Sequence, residues 1–135
     1  MWRLLVMKKF LRPVFLFLSL TAVTSVTAND VIVSVAFDAH ENISDELVGG
    51  TMTAEVVNLT GGAIRNVNLR PDGAMDVAIS KEVLQFGLLE NGGSGIVNQS
   101  FHATQASIDA GNPTAWRLDF DGADGSHKQL FVTVN

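Results

Sequence analysis

The chain has 135 residues, a formal charge of −5, and neither cysteine nor tyrosine. The missing cysteine excludes a disulfide framework and lipid attachment through an N-terminal Cys. The whole-chain charge conceals an asymmetry, because four of the nine basic residues (Arg3, Lys8, Lys9 and Arg12) precede residue 28 and all fourteen acids follow it. Residues 1–28 read as a cleavable signal peptide. Those cations form its charged region, the run from Pro13 to Val23 its apolar region, and Val26-Thr27-Ala28 its small-residue cleavage site. The apolar run is shorter than the roughly 20 residues that a membrane-spanning helix needs. The expected mature chain, from Asn29, holds five basic and fourteen acidic residues, a formal charge of −9. That balance argues against nucleic acid and anionic membranes as partners, since both attract basic surfaces. It fits a cation or a basic protein surface. One domain, 29–135, is the expected count.

Short alternating apolar segments separated by Gly, Asn, Asp and Pro predict an all-β chain. In order they are Val31-Val33-Val35, Met52-Ala54-Val56, Val67-Leu69, Met75-Val77-Ile79, Leu84-Phe86-Leu88, Val97-Phe101-Ala103, Trp116-Leu118-Phe120 and Leu130-Val132-Val134. Val57 and Leu59 fall out of phase with the second segment, which predicts a bulge there. A helical turn fits within Gln105 to Ala110. Eight strands at this spacing predict an antiparallel two-sheet β-sandwich. The longest connections run from His40 to Gly50 and from Thr104 to Thr114.

Two stretches carry a family resemblance. Val57-Asn58-Leu59-Thr60-Gly61-Gly62-Ala63-Ile64-Arg65-Asn66-Val67 resembles the V-x-N-x-G-x-x-x-x-x-V strand–turn–strand unit of bacterial extracellular immunoglobulin-like modules, the CARDB and related repeat domains. Phe86-Gly87-Leu88-Leu89-Glu90-Asn91-Gly92-Gly93-Ser94 resembles their G-x-L-x-x-G-x-S turn. The resemblance implies an immunoglobulin-like sandwich acting outside the cytoplasm.

If every successive strand reverses direction, the connections at 38–50, 71–74, 89–95 and 121–127 share one end. That end would carry Asp38, Glu41, Asp45, Glu46, Asp72 and Glu90 as an acidic interaction surface, with Asp121, Asp124, His40 and His127 nearby. Asp119-Phe120-Asp121-Gly122-Ala123-Asp124-Gly125 resembles the start of a calcium loop, which makes Asp119, Asp121 and Asp124 candidate ligands. The spacing lacks the glutamate at the twelfth position, and Asp and Gly are equally what a hairpin turn requires. For copper, His40, His102 and His127 are scattered, and Met52 and Met75 fall in core phase. Ser94, in Gly93-Ser94-Gly95, lacks the strand-to-helix elbow of a nucleophile, so no enzyme activity is expected. Trp116 shares the core phase of Leu118 and Phe120 rather than that of a sugar platform.

These residues therefore predict an exported, non-enzymatic binding module in the periplasm or medium, with a protein or cell-surface component as partner. Two alternatives stay open. One is a surface fibre or matrix subunit that assembles through its first strand (Asp30 to Phe37) or its last (Lys128 to Asn135). The other is a periplasmic calcium or copper carrier.

Overall fold

Period-two burial sets the strands. In β2 (Val31–Asn42), Val31, Val33, Val35 and Phe37 are buried while the residues between them face outward. β3 (Leu47–Asn58) buries Met52, Ala54, Val56 and Asn58 in the same way. The computed structural model describes residues 23–26 and 31–134. The charged and apolar regions of the expected leader, its cut after Ala28, and Asn29, Asp30 and Asn135 lie outside them.

The other strands are β1 (Val23–Val26), β4 (Ile64–Pro71), β5 (Val77–Ile79), β6 (Leu84–Leu89), β7 (Ser94–Thr104), β8 (Thr114–Asp121) and β9 (His127–Val134). One sheet has the order β1-β2-β3-β7-β5 and the other β6-β4-β8-β9, and every pairing is antiparallel. The protein is an immunoglobulin-like β-sandwich. All eight expected strands are present as β2–β9, and α1 (Gln105–Ala110) occupies the expected helical turn. β1 is additional and falls within the stretch read as leader.

Between the sheets, Trp116, Phe120, Met52, Ile64, Leu69, Leu84 and Leu118 are fully buried. Each such side chain contributes about 1.5–3 kcal/mol by leaving water. Phe37 and Phe101 meet edge to face, centroids 5.2 Å apart. The Trp116 indole N–H donates to Thr114 Oγ1 (2.8 Å), which settles the one polar atom that this ring brings inside.

Two local expectations are corrected. β3 runs in unbroken register to Asn58, so there is no bulge at Val57. Val57 lies on the outer face and Leu59 is exposed beyond the strand end. The bulge is in β2, where the register shifts between Ala39 and Glu41 and His40 is the extra residue. Its cause is opposite: a Cβ at Gly50 would lie 1.8 Å from the Asp38 carbonyl oxygen, an approach open only to glycine. The extra residue also resets the alternation. Odd residues of β2 face the core as far as Ala39, and the bulge turns Glu41 outward, opposite Gly49.

The second correction concerns strand direction. β5 and β6 run the same way, because the chain leaves one sheet after Ile79 and enters the other at Leu84 without reversing. Connections after this crossover therefore fall at the end opposite to the one that strict reversal predicts.

Candidate interaction surface

One end of the sandwich is formed by the β2–β3 hairpin at 43–46, the 72–76 connection and the segment from α1 to residue 113. The hairpin closes through Ile43 and Ser44 amides donating to the Leu47 carbonyl (2.8 and 3.1 Å). The amide of Gln105 donates to the Glu46 carbonyl (2.9 Å), which ties α1 to the hairpin. Thr104 caps the helix by accepting from the Ser107 amide (3.1 Å), and Gly111 ends it in the left-handed region. Asn112 Nδ2 donates to Asp76 Oδ2 (3.0 Å), and the Asp72 amide to the Ala115 carbonyl (2.9 Å), so the third connection is held too.

This end gathers Asp38, Glu41, Asp45, Glu46 and Asp72, all exposed, and adds Asp76 and Asp109. Residues 38–50, 71–76 and 104–113 contain no Lys or Arg. Ile43, a large apolar side chain left 51% exposed, stands at the hairpin tip among the carboxylates. Glu90 belongs to the other end. There the 59–63, 89–93 and 122–126 connections meet: the Gly92 amide donates to the Asn58 carbonyl (2.7 Å), and a Cβ at Gly62 would lie 2.8 Å from that of Ala123. The six-residue acidic set is thus five residues and one, divided by the β5–β6 crossover.

The opposite end is organised by Asn58, which is completely buried. Its Nδ2 lies within hydrogen-bond reach of the carbonyls of Gly62 (2.8 Å), Leu89 (2.9 Å) and Glu90 (3.1 Å). Its Oδ1 accepts from the Thr60 amide (3.0 Å) and hydroxyl (2.7 Å). One side chain thereby joins the two stretches that carry the sequence resemblance. The sequence places Asn58 beside a turn, and nothing local signals a partner some thirty residues away.

The calcium candidates do not converge. Asp119 is buried on the outer face of the β6-β4-β8-β9 sheet, where its carboxylate meets Arg117 Nε (3.3 Å), Arg70 Nε (3.6 Å) and Gln129 Nε2 (3.0 Å). The guanidinium groups supply the positive charge that a cation would bring. Asp121 accepts from Asn66 Nδ2 (2.8 Å) and faces His127 Nδ1 (3.1 Å). Those two contacts, the asparagine bond first, hold its carboxyl below the ordinary 3.8. Asp124 sits in the hairpin turn, where the Ser126 hydroxyl and then its amide hold the carboxyl below 3.8 in the same way. Among the described residues, no group of three or more His, Asp or Glu could hold a metal ion.

The histidines are equally dispersed. His40 is in the bulge beside Thr51, His102 is on the outer face of β7, and His127 is on the other sheet. Ser94 opens β7 opposite Val57. Trp116 is fully buried, so it offers no sugar platform.

No protein-family model matches the chain, and no curated protein does. Among solved structures it is similar to the GAE domain of GGA2p from Saccharomyces cerevisiae (11% identity over 84% of this chain and 93% of that one, TM-score 0.45). It is also similar to the yeast GGA1 GAE domain (14% identity, 85% and 98% covered, TM-score 0.50). At such identity the second likeness speaks for the sandwich fold alone.

Proposed function

We propose that this protein is an exported, non-enzymatic interaction module that binds a basic surface of another exported or cell-surface protein through its acidic end. The observation that carries this reading is the placement of seven exposed carboxylates on residues 38–46, 72–76 and 109, toward the end that also exposes Ile43, without a Lys or Arg in residues 38–50, 71–76 and 104–113. An exposed apolar side chain on an acidic end suits a contact in which burial gives affinity and electrostatics gives orientation. Export is supported by the charged, apolar and small-residue order of 1–28. Kinship with the CARDB-like extracellular modules is supported by the Asn58 bonds, which join the Val57–Val67 stretch to the Phe86–Ser94 stretch.

The test is quantitative binding of the exported protein fraction by the mature chain, compared with two neutralised forms. Asp45→Asn/Glu46→Gln/Asp72→Asn should weaken capture about tenfold at low salt, at about 0.5 kcal/mol or more per exposed pair. Glu90→Gln/Asp124→Asn, at the other end, should not. Equal behaviour of the two forms would refute the acidic end as the contact. N-terminal sequencing of the exported protein should start at Asn29.

A further inference from the structure

We infer that β1 is a temporary cover for the edge of β2, and that its removal with the leader lets two mature chains pair through β2, antiparallel and about a two-fold axis. This rests on the proposed cut after Ala28, which lies in the short connection between β1 and β2. β1 pairs with Val31–Ser34 in antiparallel register, from Val23 opposite Ser34 to Val26 opposite Val31, and it also approaches β9 across the seam between the sheets. The cut therefore removes a strand from the sheet and makes β2 its edge.

Edge strands are ordinarily blunted by charge, proline, a bulge or shortness. β5 has three residues, β6 is broken by Gly87 at φ 72° with register shifts beside it, and β9 opens with His127 and Lys128. In β2 the run Val31–Phe37 has no charge, proline or glycine, and its bulge comes only after Ala39. The strand is also complementary to itself. Centred on Val35, Val31 falls opposite Ala39, Ile32 opposite Asp38, Val33 opposite Phe37 and Ser34 opposite Ala36. Core-facing residues then meet core-facing residues, as a sheet continuous across two copies requires. No two carboxylates face each other within the run, which matters for a chain of this acidity. A second copy is thus the occupant that the edge itself specifies.

The experiment compares residues 29–135 with residues 21–135, which keep β1, by sedimentation over a hundredfold concentration range. Both contain the entire core, which lies within 31–134. The shorter form should dimerise, more tightly at higher salt as repulsion between acidic protomers is screened, and the longer form should stay monomeric. In the proposed register Ser34→Lys/Ala36→Lys sets introduced lysines against each other and should weaken the dimer about tenfold or more. Ser34→Lys/Ala36→Glu sets opposite charges face to face and should restore it. Melting curves confirm that each variant is folded. A monomeric 29–135 form overturns the inference, as does a dimer indifferent to both variants. A natural N-terminus upstream of Val23 overturns the cut on which it rests, and that result is read from the exported protein by mass rather than from its oligomeric state.

Discussion

Asn58 and Asn66 do different work with the same amide. Asn58 is in the core phase of β3, yet its side chain is spent on three carbonyls and a threonine rather than on apolar packing. Asn58→Ala should cost about 3 kcal/mol, because it strands carbonyls that lie out of reach of water, and urea denaturation reads this directly. Asn58→Asp is the more telling change: it replaces the donor facing those carbonyls with an oxygen while conserving shape, and should destabilise at least as much at neutral pH. Asn66, at φ 53°, instead donates from the surface to Asp121. Asn66→Gly keeps that backbone conformation and deletes the bond, so the Asp121 carboxyl should titrate nearer its ordinary 3.8 when followed by NMR. The sign for stability follows. With folded values of Asp121 and Asp124 below 3.8, the unfolded chain binds more protons in that range. Their contribution is present above 3.8 and is lost as pH falls through the lower folded values.

At the scale of elements, the glycine opposite the bulge decides where the acidic end begins. Gly50→Ala must push a Cβ into the Asp38 carbonyl or flatten the bulge, and flattening would turn Glu41 toward the core. The expected loss is about 3 kcal/mol in thermal or urea unfolding. The strands themselves were legible in the sequence because burial in β2, β3, β7 and β9 alternates with period two, whereas in β6 the turn of chain at Gly87 exposes the expected Leu88 and buries Leu89 instead. Two things were not legible. A bulge is set by one backbone approach across the sheet, which leaves no trace in the alternation of either strand alone. The β5–β6 crossover is a choice of sheet rather than of strand, and Ser80-Lys81-Glu82-Val83 looks like any turn. That unseen choice moved Glu90 and the Asp119–Asp124 segment to the far end, while five of the six expected acidic residues stayed together. The Arg70 partner of Asp119 was equally hidden, since it comes from β4 and only register brings it near β8.

At the scale of the whole molecule, residues 29–135 hold fourteen acids against five basic residues. Seven of the fourteen acids lie on residues 38–46, 72–76 and 109, in stretches without Lys or Arg, so the excess negative charge acts as self-repulsion of the molecule as a whole. Arg70 and Arg117, by contrast, are committed to Asp119 on a sheet face. Self-repulsion of this kind is relieved by any electrolyte, within a Debye length of roughly 10 Å at 0.1 M. A calcium site would act differently: a specific ion at 100 times its dissociation constant adds about 2.7 kcal/mol beyond screening. The arrangement around Asp119, Asp121 and Asp124 offers serine, asparagine, glutamine and guanidinium donors where a cation would need free oxygens. The melting temperature of residues 29–135 should therefore rise with sodium chloride, and calcium chloride should raise it no further than magnesium chloride at equal ionic strength. Differential scanning calorimetry of the three series separates the cases. A calcium-specific rise that Asp124→Asn abolishes would return the hairpin turn to the list of metal ligands, whereas a rise common to all three salts assigns the acidity to long-range repulsion.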